Sequence, residues 1–409
     1  MRLPMPVSLL ILLLATTVMS ADVVTVDGVT HVRNGAQPRD GVQELNLEEL
    51  WRVGGEDEEI FFGVVTQVES DDAGNIYLLD TQLSQVMVFD RDGAFTGTIS
   101  REGEGPGEVR MPADMCFMPD GSLGLMQSFP GKVTMVSLDD EPVGTIVPGE
   151  GAEAGGFLLM RDINTAGGLL VGCGEKISPF EDQSGQTRTS FLSAFDETGA
   201  KLHDYLTFSR VWAWANMVWD ETDEYFVHYR KWDAGPDGRV YAAASRNNYE
   251  IHVWNIDGSP VHVIERVYDR LERDQDALTR IEQGMENLKR QFGPISVETR
   301  TEKMEQDIIS LFVHPDGDLW VLSSRGQFDL PDGVLSSYDV FDGKGEFIRQ
   351  VRVMAPGDSQ EDAVMFARDG RVLVVTGFTS AVTALQGGGA ASEDEEEPAP
   401  MEVICYSVR

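Results

Sequence analysis

A turn motif recurs along this chain, and its recurrence limits the fold more than any other feature. The segments are Asp72–Leu79 ("DAGNIYLL"), Pro119–Met126 ("PDGSLGLM") and Asn164–Val171 ("NTAGGLLV"). Pro236–Ala243 ("PDGRVYAA"), Pro315–Leu322 ("PDGDLWVL") and Ala367–Val374 ("ARDGRVLV") complete the set. Each has an apolar strand before the turn and a β-rich strand after it, and the turn glycine supplies the positive φ that a tight hairpin needs. Most units carry a second hairpin, as in Val86–Phe95, Ser193–Lys201, Ile251–Val261 and Tyr338–Phe347. Two hairpins make one four-stranded antiparallel sheet. Six such sheets bury their faces only against one another, which predicts an all-β, six-bladed β-propeller.

The last unit lacks an obvious fourth strand. Leu47–Gly55 ("LEELWRVGG"), ahead of the first unit, is expected to supply it and close the ring. Val23–Asn34 reads as a hairpin arm outside the ring, within residues 22–44, and the propeller proper as residues 45–409. The longer gaps between turn glycines demand insertions. Leu271, Leu278, Ile281, Met285, Leu288 and Phe292 fall at helical intervals within Tyr268–Phe292. They predict a surface helix between blades four and five, its apolar stripe turned to the protein or to a partner. Lys176–Thr189 reads as a polar loop, and 387–400 ("GGGAASEDEEEPAP") as a flexible acidic one.

Arg2 followed by the apolar run Val7–Ala15 and small residues at Ser20 and Ala21 predicts an export signal over residues 1–21. The run is too short to span a bilayer, and no later stretch reaches the length of a membrane helix. A periplasmic or extracellular monomer is expected. The chain carries 69 acidic against 32 basic residues, a net charge of −37, which excludes nucleic acid and anionic membranes as partners. Cys116, Cys173 and Cys405 lie in apolar segments without metal or redox spacing, so buried, inert thiols are expected.

Ser100–Pro112 ("SREGEGPGEVRMP") is the most distinctive run in the chain, with a glycine at every second position from 103 to 107. A phosphate loop needs a Lys and a Ser or Thr after its last glycine, and a helix to follow. Here Glu108-Val109-Arg110 follow Gly107, Pro106 removes a donor, and Glu102, Glu104 and Glu108 repel an anion. The run is the loop between the first two blades. Together with "GNIYLLDTQLSQVMVFDRDGAF" before it and "MPDGSLGLM" after it, this loop resembles the bacterial six-bladed β-propeller family related to NHL-repeat and TolB-like proteins. The resemblance spans roughly residues 45–409 and implies an exported propeller, with no particular activity.

Counting seven residues back from each turn glycine gives one position per innermost strand: Gln67, Asp114, Arg161, Lys231, Ser310 and Ala363. This polar ring either hydrates the channel or forms a funnel for a small anionic or polar ligand. Arg246 and Arg325 follow equivalent strands, and they either converge on one rim to hold a carboxylate or sulfate or remain ordinary surface charges. The six histidines show no metal spacing, no nucleophile elbow occurs, and neither a cofactor nor a metal is expected. Lactonases and amidating lyases resembling this fold hold calcium or zinc at the channel, and the ring offers only Asp114 as an anion. Three functions follow: a non-enzymatic module that binds a ligand or protein partner, a metal-dependent lactonase or lyase, and an envelope assembly factor. The first needs the fewest assumptions.

Overall fold

The computed structural model describes residues 21–55, 60–149, 157–227, 230–385 and 400–408. Residues 1–20 of the expected export signal, and 387–399 of the expected acidic loop, lie outside them. The described chain begins with a hairpin of β1 (Asp22–Val26) and β2 (Val29–Asn34), then the long β3 (Val42–Gly54). The first antiparallel sheet is β4 (Val65–Ser70), β5 (Ile76–Asp80), β6 (Gln85–Phe89) and β7 (Phe95–Ile99). The second is β8 (Pro112–Phe117), β9 (Leu123–Gln127), β10 (Lys132–Val136) and β11 (Pro142–Ile146). Longer strands build the third: β12 (Phe157–Ala166), β13 (Leu169–Pro179), β14 (Gly185–Phe195) and β15 (Lys201–Ala213).

A crossing segment follows, with β16 (Met217–Asp220) and the one-turn helix α1 (Glu221–Glu224). It leads to β17 (Trp232–Ala234), β18 (Arg239–Ala242), β19 (Glu250–Asn255) and β20 (Pro260–Arg266). Next come helix α2 (Gln275–Gln291) and β21 (Val297–Arg300), which pairs in parallel with β16. The chain then forms β22 (Ile308–Val313), β23 (Leu319–Ser323), helix α3 (Ser324–Phe328), β24 (Ser336–Phe341) and β25 (Phe347–Met354). It ends with β26 (Ala363–Phe366), β27 (Val372–Val375), helix α4 (Phe378–Leu385) and β28 (Glu402–Val408).

Strand chemistry follows position. Every residue of β5, β9, β23 and β27 is buried, because both faces of these second strands pack on neighbours. The fourth strands β7 and β11 are largely exposed, and Pro142 sits at an outer edge where no ladder donor is needed. Apolar clusters lie between consecutive sheets. One of them, with Trp51, Leu78, Phe89, Leu373 and Cys405, joins the last sheet to the first through β3.

The N-terminal strands complete outer edges. β3 pairs antiparallel with β28 (Val403↔Val53, Cys405↔Trp51), while its first residues run parallel to β25 (Val351↔Gln43). The hairpin arm adds to the fourth sheet through β2, parallel to β20 (Val32↔Ile264).

Two segments differ from their sequence reading. Lys176–Thr189 is mostly ladder, with Lys176 opposite Thr189 and Ile177 opposite Arg188, because β13 and β14 extend beyond the other second and third strands. The helix of the insertion starts at Gln275, capped by the Asp274 carboxylate, which accepts the Ala277 N–H at 2.7 Å. Residues 268–273 stay non-helical; Arg270 and Arg273 bond to Asp307 and Glu221, and Glu272 bridges Met304.

In the glycine-rich loop the Glu108 carboxylate turns inward and accepts the Gly105 N–H at 2.9 Å. A Cβ on Gly103 would fall 2.0 Å from Glu108 Oε2, so a larger residue there would push this flexible carboxylate aside.

Candidate functional site

The first strands of the sheets (β4, β8, β12, β17, β22 and β26) line a cavity of about 230 Å³. Their polar side chains bond across sheet boundaries. Gln67 Nε2 donates to Asp114 Oδ1 at 2.9 Å, and the Ile163 N–H donates to Asp114 Oδ2 at 2.8 Å. Asn164 Nδ2 donates to Asp233 Oδ1 at 2.7 Å, and the Val313 N–H donates to Asp233 Oδ2 at 2.7 Å. Arg368 Nε donates to Glu69 Oε2 at 2.9 Å. Sheet by sheet, the belt passes from first to second to third to fourth to fifth, and from last back to first.

Of the six site residues expected from sequence, Gln67 and Asp114 are brought together and the other four are not. Third-sheet register explains Arg161. Gly167 and Gly168 alone form its first turn, so the ladder places Asp162 opposite Cys173 where the second sheet has Asp114 opposite Met126. Arg161 is left in the bulge between Met160 and Asp162, and its Nη2 donates to Glu175 Oε2 at 3.4 Å. Lys231 holds the expected ladder position but is buried. Its ammonium turns to β22, donating to Gln306 Oε1 at 3.0 Å, to Ile308 O at 3.4 Å and to Ile309 O.

Arg325 is committed to the helical insertion, and Arg246 to the segments before and after it. Arg246, only 2% exposed, donates through Nη2 to Glu221 Oε1 at 2.8 Å and to Met304 O at 3.0 Å. Arg325 donates to Asp269 Oδ2 at 2.7 Å and also pairs with Asp329. A guanidinium whose donors are taken by its own chain is a clasp before it is a ligand site.

The residues that do line the cavity include several that the seven-residue count passes over: Glu69, Asp162, Asp233, Arg368 and Arg230. Glu69 lies two residues beyond Gln67, and Asp233 two beyond Lys231, so strand alternation was the signal for both. Arg230 carried no such signal. Its φ of +60 places a long side chain on a left-handed backbone. From there Nη2 donates to Gln67 Oε1 at 2.6 Å, and the Arg230 N–H donates to Asp162 Oδ2 at 3.3 Å.

Burial governs the titration of this belt. Burial and then the Asp162 charge push Asp114 well above the usual carboxylate range, and burial raises Asp162 as well. Burial lifts Asp233 to about 6 against its three hydrogen bonds, and raises Glu69 against the opposing pull of Arg368. The Lys231 ammonium is brought down to about 7 by burial, with the Arg246 charge adding to the effect. Among the described residues no three His, Cys, Asp or Glu side chains are grouped to hold a metal ion.

A second, larger space of about 630 Å³ adjoins the cavity. Its walls come from α2, from β22 to β24, and from the segment leading into β26 and α4. Arg230, Ser310, Tyr338, Val364 and Met365 line both spaces.

No curated protein matches this sequence. Among similar solved structures, a Bacteroides fragilis protein whose name calls it exported is 12% identical, with a TM-score of 0.44 over 93% of this chain and 99% of its own. A Bacteroides vulgatus member of the DUF4221 family is 10% identical, with a TM-score of 0.46 over 90% of this chain and 99% of its own. An inactive virginiamycin B lyase from Staphylococcus aureus, solved with quinupristin, is 10% identical, with a TM-score of 0.42 over 89% and 100%. Residues 57–146 match the model of the DUF5128 family, described as a 6-bladed beta-propeller; over that segment the chain is similar to this family, and its antiparallel sheets are those of a β-propeller.

Proposed function

We propose that this chain is an exported, six-bladed β-propeller that binds a small polar or anionic ligand where its central cavity opens into the cleft, without catalysing a reaction. The observation that carries this reading is that Arg230, Ser310, Tyr338, Val364 and Met365 line both spaces. A concave space of this size, with apolar and polar side chains together in its lining, is a common form of small-molecule site. Six four-stranded sheets with an apolar cluster between the last and the first support ring closure, with β3 as the latch. The helical insertion between blades four and five roofs the cleft, since Ala277 and Ile281 of α2 line it. Residues 1–21 support export, and among the described residues no helix is long and apolar enough to cross a membrane. Gln67 belongs to the site through Arg230, and Asp114 through Gln67; Lys231 braces a cleft wall through Gln306 and Ile309, while Arg161, Arg246 and Arg325 bond to residues outside both spaces.

The test is a thermal-shift panel of polar and anionic solutes on the mature chain, run beside Ala277→Trp, which fills the cleft. At least one solute should raise Tm in the wild type and leave the variant unmoved. A panel without any shift, or equal shifts in both proteins, would sink the reading. Turnover of a lactone or ester by the metal-supplemented protein would overturn its non-enzymatic part.

A further inference from the structure

We propose that the cleft takes an amphipathic carboxylate, with the carboxylate held by Arg230, Tyr338 and Ser336 and the hydrocarbon body laid along the apolar wall. The inference rests on the cleft being the binding site, and it names the chemistry that the cleft selects.

The polar end is specific. Ser336 is 2% exposed and lines the cleft, and its Oγ, whose neighbour is the Tyr338 side chain, makes no well-formed hydrogen bond among the described residues. A buried hydroxyl left in that state is costly, and a ligand oxygen in the cleft would satisfy it. Tyr338 lies two residues along β24, on the same face, and lines both cleft and cavity. Arg230 also lines both, on a left-handed backbone. Such strain at a bulky residue persists only where the surrounding structure imposes it, and it concentrates at binding sites.

Arg230 supplies the cation at this end beside the two hydroxyls, while Arg273 and Arg280 line the cleft along the insertion, Arg273 already paired with Glu221 and Glu305. A dianion is disfavoured by Asp162, whose carboxylate accepts the Arg230 N–H. The cleft's own carboxylates are engaged elsewhere. Both oxygens of Asp362 take backbone N–H groups (Gly377 and Asp358), Glu361 takes Ser380, and Glu305 pairs with Arg273. Away from the residues shared with the cavity, Ile281, Leu322, Phe328, Leu335 and Phe378 supply the apolar wall. A purely polar anion would leave that wall wet, whereas a short hydrocarbon chain would cover it.

The experiment compares octanoate, octanol and octylamine by calorimetric titration of the mature chain. Octanoate should bind at least tenfold more tightly than either of the others. Arg230→Gly suits the left-handed φ but gives up the bond to Gln67 and a cation beside buried Asp114 and Asp162; a thermal melt checks its fold, and the folded variant should lose octanoate affinity by tenfold or more. Tyr338→Phe and Ser336→Ala should each weaken octanoate two- to fivefold and leave octanol unchanged. Equal affinity for octanol or octylamine, or for octanoate after Arg230→Gly, overturns the carboxylate assignment while leaving the cleft as the site. Failure of all three compounds to bind also overturns it, and the broader solute panel with Ala277→Trp then decides the cleft itself.

Discussion

The Asp233 carboxylate accepts the backbone N–H of Val313 at 2.7 Å, joining β17 to β22 across a sheet boundary. Its other oxygen accepts the Ala234 N–H at 2.8 Å and Asn164 Nδ2 at 2.7 Å. Three donors converge on one buried group, and an asparagine there must turn its own N–H₂ against at least one of them. Asp233→Asn should therefore cost about 1–3 kcal/mol at neutral pH. Burial also holds the folded-state proton to about 6, above the ordinary 3.8. The folded state thus binds more protons than the unfolded chain between those values, and the Asp233 contribution to stability falls as pH rises to about 6, then levels. The variant lacks this component. Urea unfolding between pH 5 and 8 should show wild type and variant furthest apart at pH 5 and closer above pH 7. A gap that widens with pH would contradict the assignment.

The packing of β3 on the first sheet can be tested at Gly93. Its φ is +85, and a Cβ there would stand 2.5 Å from Cγ of Trp51, which stacks at 6.0 Å on Phe89. Gly121 has the same φ with nothing within 4 Å of its would-be Cβ. Gly121→Ala should cost only the left-handed penalty, about 1–2 kcal/mol. Gly93→Ala should cost about 1–3 kcal/mol beyond that, because Trp51 must move. Equal losses in guanidinium melts would mean that Trp51 is not firmly seated.

Local pattern made the turns readable. Gly74, Gly121, Gly238, Gly317 and Gly370 all have φ between +78 and +90, the demand that marks a tight hairpin in sequence. The third sheet broke the count because two adjacent glycines, Gly167 and Gly168, both at positive φ, make a shorter turn. One residue of slip in a strand exchanges the two faces, so Arg161 was read where Asp162 stands. Glu69 and Asp233 were recoverable by alternation. Arg230 was not, since its direction depends on a left-handed backbone that no side chain announces. Arg246 looked like a rim charge because nothing local shows that residues 268–307 fold back over it.

That fold-back makes the two arginines unequal. Arg246→Met leaves Glu221 paired with Arg273 alone and strands the Met304 carbonyl, in a place where the replaced side chain was nearly fully buried. The expected loss is about 2–4 kcal/mol, somewhat below a buried charge left with no partner. Arg325 pairs with Asp269, which is largely exposed, so Arg325→Ala should cost less than about 1 kcal/mol. Hydrogen exchange should quicken in α2 for the first variant and hardly change for the second. Equal effects would argue that the insertion is held by its helix contacts instead of by Arg246.

The three thiols give a final test of how tightly the sheets close. Cys116, Cys173 and Cys405 are free and buried, each in an apolar cluster between sheets. Burial pushes the first two well above the ordinary thiol range and Cys405 up to about 12, so almost no thiolate forms at neutral pH. Since the thiolate is the reacting species, native protein should give no colour with an aromatic disulfide reagent over hours. The same protein in urea should release three equivalents without reductant, and Tm should not depend on reductant. One equivalent in urea, rising to three after reduction, would reveal a disulfide and require two of these strands to approach across different sheet interfaces. Fast reaction of a single thiol in the native state would show instead that one interface opens far more often than its packing implies.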